Sequence, residues 1–565
     1  MRRTTLAAAF LLVGITAVVS NTGPQTDRTV KSVRTPKLLV LIVVDQMRGD
    51  YVDKFRHQWS RGLHRLVTDG AWFRRADYPY YNTVTCPGHT SVSTGTVPSV
   101  HGIVLNSWWD RDAKKMVACT DDEHVAAISY GKPVSARGES LARLRSTTLA
   151  DELRAQLPSP PRIAAFSLKA RAALPLGGRR PDAVAWFDDE GAWVTSTAVA
   201  TAPVAAVRQF VAANPVENDA RVVWDRALPK DMYLYEDPAV ALHARKGEMT
   251  PAFPHPLLDV EPALDKSFYD RWQSSPLADE YLARMSTSVL ETLHVADAAG
   301  PNLLGIGFST LDKVGHDYGP HSHEVQDVLI RLDRTLGDLW ARLDRLVGSG
   351  NYTVALTADH GVAPVPERMN AMGLDAGRVS ADAIVSSVEA SIAATLGPGT
   401  YVARFVHDYV YLQPGVYENL RARAGAVKKL TEDLRRVPGV LNAYSRDDLE
   451  ANRFEDPMLR LAAASHDASR SGDVMVVFRP YWIESDSTAA HGTGYAYDTH
   501  VPVILMGKGI TPGEYLQPAS PTDIAPTLAF LAGITMPQAA GRVLAEALSP
   551  VTPAHPIQSQ TTAAR

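Results

Sequence analysis

Leu38-Leu39-Val40-Leu41-Ile42-Val43-Val44-Asp45 sets an unbroken apolar run against a carboxylate. A run without polar alternation reads as a strand buried on both faces, which is the habit of parallel sheets covered by helices. Three further runs repeat the pattern. Asn302-Leu303-Leu304-Gly305-Ile306-Gly307-Phe308 is followed by Asp312 and His316, and Tyr352-Thr353-Val354-Ala355-Leu356-Thr357 by Asp359 and His360. Val501-Pro502-Val503-Ile504-Leu505-Met506 comes shortly after a glycine-rich loop that holds His491. All four runs are expected to be parallel, and ligands of such sheets bind beyond the carboxyl ends of the strands. Asp45, Asp312, His316, Asp359, His360 and His491 are therefore expected at one edge of one sheet.

Working outward, strand and helix signals alternate to about residue 195, including Arg162–Ser167 and Ala183–Phe187. Residues 196–295 lose that rhythm: Trp224, Tyr233, Tyr235, Phe253, Phe268, Tyr269 and Trp272 are scattered among prolines and charges. The core resumes at 296. Val325, Val328, Leu329, Leu332, Leu336 and Leu339 recur at helical spacing and predict a helix over 323–347. Residues 371–484 are irregular again, and a last helix, Pro521–Ala532, is introduced by Ser520. The expected fold is α/β, a three-layer α/β/α sandwich around a mostly parallel sheet, with an inserted cap lobe. The core is divided into 36–195, 296–370 and 485–548, interrupted by insertions at 196–295 and 371–484.

The ends differ from the core. Arg2-Arg3 followed by an apolar stretch from Leu6 to Val19 and small residues near Ser20 has the layout of a secretory signal peptide, residues 1–20. The stretch is too short to span a bilayer comfortably. Residues 21–35 read as a linker, and 549–565, rich in Pro, Ser, Thr and Gln, as a flexible tail. The expected location is periplasmic or secreted, without stable membrane association. A net charge of −5 gives no electrostatic case for nucleic acid as a partner, and a monomer is expected. The two cysteines, Cys86 and Cys119, are read either as a disulfide permitted by an oxidising compartment or as two buried thiols.

Asp and neutral His are suitable zinc ligands, whereas magnesium and calcium prefer more oxygens and fewer imidazoles. Tyr81-Asn82-Thr83-Val84-Thr85-Cys86-Pro87-Gly88-His89-Thr90 joins a strand-like segment to a helix. Pro87 suits a first helical turn, so Thr85 is placed where free N–H groups and the helix dipole favour an anion. A hydroxyl there, beside a metal, can lose its proton and attack phosphorus. His89 is expected to brace this loop, and His101 and His500 to be structural.

Val44-Asp45-Gln46, Thr85-Cys86-Pro87-Gly88-His89, Asp312-Lys313-Val314-Gly315-His316, Thr357-Ala358-Asp359-His360-Gly361 and His491-Gly492-Thr493, in that order, resemble the motifs of the alkaline phosphatase superfamily, type I phosphodiesterase/nucleotide pyrophosphatase branch. The resemblance implies two Zn2+ per chain. Asp45, Thr85, Asp359 and His360 would hold one, and Asp312, His316 and His491 the other. It also implies a phosphothreonine intermediate on Thr85. Sulfatases of this superfamily carry a nucleophilic cysteine in a Cys-x-Pro-x-Arg setting; here Pro87-Gly88-His89 follow Cys86, which disfavours that chemistry.

Ser167-Leu168-Lys169-Ala170-Arg171 and the later part of His101-Gly102-Ile103-Val104-Leu105-Asn106 resemble the PafA-type, phosphate-irrepressible alkaline phosphatases. That resemblance implies that Lys169, Arg171 and Asn106 bind the transferred phosphoryl oxygens, and the Cys86 backbone N–H at the helix start is expected to join them. A monoester dianion brings more nonbridging charge than a diester, and Lys, Arg and Asn supply complementary donors. The implied activity is hydrolysis of small-molecule phosphate monoesters. A nucleotide pyrophosphatase or phosphodiesterase on the same scaffold is the alternative.

Overall fold

The computed structural model describes residues 35–235, 252–258, 264–451 and 455–549. The expected signal peptide, residues 21–34 of the expected linker and 550–565 of the expected tail lie outside them. Leu38–Val44 (β1) is fully buried along its length and pairs in parallel with two other apolar runs, Asn302–Phe308 (β8) and Tyr352–Thr357 (β9). These strands sit within an eleven-stranded sheet. Its other members, in chain order, are β2 (Gly70–Phe73), β3 (Asp121–Ser129), β4 (Arg137–Glu139), β5 (Ile163–Ser167), β6 (Ala183–Phe187), β7 (Trp193–Ser196), β10 (Val503–Gly507) and β11 (Gly513–Tyr515). The spatial order is β11-β2-β10-β9-β1-β8-β5-β6-β7-β3-β4. From β9 to β6 all neighbours are parallel.

The fourth apolar run departs from the expected direction. β10 is antiparallel to both β9 and β2. The ligand before it still reaches the common edge, because the amino end of an antiparallel strand lies beside the carboxyl ends of its neighbours. Thus Leu356 near the end of β9 pairs with Ile504 near the start of β10. A buried apolar run fixes burial on both faces, not direction.

Helices cover both faces. On one side lie α1 (Gly62–Asp69), α5 (Pro276–Thr292) and α7 (His323–Leu343), with α6 (Thr310–Tyr318) packed on α7. On the other lie α2 (Thr85–Thr94), α3 (Leu149–Gln156), α4 (Ala170–Gly177) and α8 (Ile524–Ala532). α7 follows the apolar stripe read from the sequence, with Ser322 capping it through the Val325 N–H. Ser520 forms a capping box with Asp523 just ahead of α8.

Within 196–295, α5 lies directly on β5 and β8, so this part of the irregular stretch belongs to a covering layer of the sandwich. Within 371–484, Val402–Val406, Tyr409–Leu412, Val474–Phe478 and Val440–Ser445 form a separate antiparallel sheet. Its own apolar cluster includes Ile384, Val388 and Ile392 of one helix and Leu430 and Leu434 of another.

Candidate active site

Each strand end delivers its residue by a short, defined route. Asp45 follows β1, and its N–H is tied to the Phe308 carbonyl at the end of β8 (2.8 Å). Asp312 and His316 lie one turn apart on α6, with Asp312 Oδ1 3.2 Å from His316 Nε2. Asp359 and His360 leave β9 together, and His491 arrives on the loop that leads towards β10.

All three histidines are held in the same way. His316 Nδ1 faces the Ala489 carbonyl at 2.8 Å, His360 Nδ1 the Gly361 carbonyl at 2.9 Å and His491 Nδ1 the Thr83 carbonyl at 3.0 Å. A carbonyl can only accept, so each Nδ1 carries the proton and each Nε2 is left with a lone pair. The Nε2 atoms converge. His360 Nε2 is 3.3 Å from Asp45 Oδ1 and 3.3 Å from Asp359 Oδ2. His491 Nε2 is 3.6 Å from Asp312 Oδ1. The His360 and His491 rings stack at 3.5 Å, which sets the two ligand groups side by side.

These residues fit metal ions on their own geometry. Asp45 Oδ1, Asp359 Oδ2 and His360 Nε2 are buried atoms without a hydrogen-bond partner, and they face one another. Buried polar atoms are normally satisfied, so three orphans at one point mark a cation site. A second group, Asp312, His316 and His491, brings one ligand atom from each residue within 4.8 Å of the others. Mixed carboxylate and imidazole donors of this kind suit zinc. Burial opposes charge on His360, yet the Asp359 and Asp45 carboxylates push it up to about 9. The same carboxylates that draw a proton there would draw a divalent cation. Burial, with the His360 and His316 rings beside it, holds His491 well below the usual histidine range, in the neutral form a ligand needs.

Thr85 opens α2 and is buried. The helix start presses against the Asp359 loop so closely that a Cβ on Gly88 would stand 2.6 Å from Asp359 Cβ, which explains the glycine in Cys86-Pro87-Gly88-His89. His89 Nδ1 lies 3.1 Å from the Thr85 carbonyl and 3.2 Å from Asp359 Oδ2, joining the two loops as expected for a brace. His101 is buried against Ser91 and His500 contacts the Ala76 carbonyl, both in structural roles.

Of the residues expected at the phosphoryl group, Lys169 reaches the clustered carboxylates directly. Lys169 Nζ lies 2.5 Å from Asp45 Oδ2 and 2.5 Å from Asp312 Oδ2, bridging the two groups. Burial disfavours its charge, but Asp312 and Asp45 outweigh that and raise its pKa. Against burial, the Lys169 and His316 charges hold the Asp312 carboxyl well below the usual carboxylate range. Arg171 lies in the first turn of α4, its Nε buried without a partner. The Cys86 N–H, expected to reach a phosphoryl oxygen, donates instead to Asn106 Oδ1 at 2.7 Å. Cys86 and Cys119 form a disulfide, and the Cys119 N–H donates to the Asn106 carbonyl at 2.9 Å.

Two residues beside the site were not assigned roles from sequence. Gln46 Nε2 donates to Asp312 Oδ1 at 2.7 Å, orienting that carboxylate from a left-handed backbone with φ 70°. Its only signal was adjacency to Asp45. Lys313 follows Asp312, and burial together with the Lys169 charge holds its ammonium below the usual lysine range.

Comparison with known proteins agrees with this arrangement. Residues 39–494 match the family model for type I phosphodiesterase / nucleotide pyrophosphatase. The chain is 31% identical to alkaline phosphatase PafA of Elizabethkingia meningoseptica, covering 95% of this chain and 98% of that protein. It is 30% identical to alkaline phosphatase PhoK of Sphingomonas sp, covering 94% and 96%. The crystal structure of wild-type PafA superposes with a TM-score of 0.83 at 30% identity, over 91% of this chain and 99% of that one. The fold, the ligand-bearing strand ends and these similarities agree: the chain belongs to the type I phosphodiesterase/nucleotide pyrophosphatase family of the alkaline phosphatase superfamily.

Proposed function

We propose that the protein is an exported phosphatase that hydrolyses small-molecule phosphate monoesters through a phosphothreonine on Thr85. Two zinc ions would be held by Asp45, Thr85, Asp359 and His360 and by Asp312, His316 and His491. The observation that carries the reading is the meeting of Nδ1-anchored histidines and orphaned carboxylate oxygens beside a helix that begins at Thr85. PafA and PhoK, both named alkaline phosphatases, support the activity. A solved variant of PafA, with a TM-score of 0.84 at 30% identity, is substituted at a threonine, an asparagine, a lysine and an arginine. The threonine and asparagine are separated as Thr85 and Asn106 are, and the lysine and arginine as Lys169 and Arg171 are. Export rests on the Arg2-Arg3 and Leu6–Val19 layout. Among the described residues no helix is long and apolar enough to cross a membrane.

When bound, the cations would acidify the Thr85 hydroxyl, polarise the phosphoryl group and accept charge on the departing oxygen. Thr85 Oγ1 loses its proton and attacks phosphorus in line, while the bond from phosphorus to the alcohol oxygen breaks and that oxygen takes a proton. Water then attacks the phosphothreonine from the vacated side; the bond from phosphorus to Thr85 Oγ1 breaks and the hydroxyl is restored. Two inversions give net retention at phosphorus. Lys169 reaches both Asp45 and Asp312, so its ammonium is within side-chain reach of a phosphoryl group lying between them. Arg171 adds forked donors and Asn106 a neutral amide, aimed at the charge that spreads over the nonbridging oxygens.

The test is a paired rate measurement on an aryl phosphate and the bis-aryl diester of the same alcohol. The double substitution Lys169→Ala, Arg171→Ala is expected to lower monoester kcat/KM by about 10²-fold or more and diester kcat/KM by less than about tenfold. Equal losses on both substrates would remove the case for a monoesterase and favour the diesterase.

A further inference from the structure

Beside the metal centre, between the His491 loop and the inserted lobe, lies a cavity of about 30 Å³ lined by Tyr81, His407, Asp408, Phe478, Trp482, Glu484 and His491. It has room for about two waters, or for a head group of a few heavy atoms. Its walls are aromatic: Tyr81 and Phe478 are buried and Trp482 is half-buried. Two polar groups are unspent. The Tyr81 hydroxyl is buried beside the Phe478 backbone with no acceptor for its own proton, and Glu484, half-buried, makes no hydrogen bond or close ion pair among the described residues and feels only the more distant charge of His407. The other groups are committed. Asp408 accepts from Asn82 Nδ2 at 2.9 Å and stands 3.6 Å from His407 Nδ1. The His407 ring covers Gly492, where φ is 118° and a Cβ would lie 2.5 Å from that ring. The lobe is therefore seated against the ligand loop at this point.

The cavity touches His491. On the reading of the previous section, on which this inference rests, Thr85 is held with Asp45, Asp359 and His360, which leaves the opposite group, Asp312, His316 and His491, to face the departing alcohol. We propose that this cavity is the leaving-group subsite and that it takes a compact alcohol carrying an ammonium group, with Glu484 as its counter-charge and the Tyr81 hydroxyl as a hydrogen-bond partner. Aromatic walls favour a cation over an anion at the same place. Asp408 and Glu484 set two carboxylates against the one imidazole of His407, so a leaving group bearing its own carboxylate is repelled.

Three esters of matched size separate the charges: 2-aminoethyl phosphate, 2-hydroxyethyl phosphate and phosphoglycolate. The wild-type enzyme is expected to show kcat/KM for the aminoethyl ester about tenfold or more above that for phosphoglycolate, with the hydroxyethyl ester between them. Glu484→Gln is expected to shrink that ratio to within about threefold, and Glu484→Lys to invert it. A ratio is read, so a uniform change in turnover does not affect it. Binding gives a second readout: the Kd ratio of 2-aminoethylphosphonate to phosphonoacetate, measured calorimetrically, should follow the same order. Tyr81→Phe is expected to weaken all ligands that can hydrogen-bond there without changing the charge order. Equal rates for the three esters in the wild type, or a ratio that survives Glu484→Gln, would overturn the subsite. Absence of hydrolysis of any monoester, aryl phosphate included, would instead overturn the phosphatase reading itself.

Discussion

On the proposed reading Thr85 is the nucleophile, and its setting separates that role from a structural one. It is the buried first residue of α2, after the N-cap Val84, and its hydroxyl makes no hydrogen bond among the described residues. Thr85→Ala therefore removes a hydroxyl without removing a structural bond. Monoester turnover is expected to fall by about 10³-fold or more while the unfolding midpoint stays within about 2 °C of wild type. A variant retaining most of its turnover would show that another group attacks phosphorus. At this scale the sequence was informative wherever chemistry is rare. A carboxylate or imidazole straight after an apolar strand has little structural reason to be there, and Asp45, Asp312, His316, Asp359, His360 and His491 all converge. Gln46 and Glu484 were opaque for the opposite reason. Their residue types are common, and their roles depend on which distant segment lies beside them.

At the scale of the element, the hairpin Ser107–Asp110 and Lys115–Ala118 is stapled to α2. Asn106 precedes it, with its side chain held by the Cys86 N–H and its carbonyl held by the Cys119 N–H. The bridge thus encloses Asn106 between the two half-cystines. The paired substitution Cys86→Ser, Cys119→Ser is expected to cost about 2–4 kcal/mol in chemical denaturation. It should also make Asn106→Ala less damaging to monoester kcat than it is in the bridged protein. Undiminished loss from Asn106→Ala in the unbridged background would mean that the staple serves stability alone. Sequence could leave this pairing open but not decide it, because two cysteines define one possible bridge and nothing about proximity. β10 teaches the same lesson. Its apolar run was readable, while its antiparallel direction is set by partners far along the chain.

Across the whole molecule, the proposed metal ligands are drawn from residues 45 to 491, so bound cations would tie the sheet edge together. Ions that bind the folded chain and not the unfolded one add stability by mass action. Prolonged chelation is expected to abolish monoester turnover and lower the melting temperature by several degrees, at about 1 °C per kcal/mol for a chain this large. Added zinc should restore both, and a chelated protein that keeps full turnover would exclude a metal-dependent reaction. The insertions were the least legible part of the fold. α5 is hidden among prolines and aromatics in 196–295, although it covers β5 and β8. The four-stranded sheet in 371–484 draws its strands from segments up to about seventy residues apart, so no local period announces it.

β10 enters the sheet against the grain, so the chain passes from the lobe through Glu484 to His491 before it becomes a strand. One short piece of polypeptide thereby carries both a selector for the alcohol and an anchor for the reaction. Exchange of that lobe between homologues would retune which esters are accepted while leaving the threonine and its partners in place, a natural hinge for diversification by recombination.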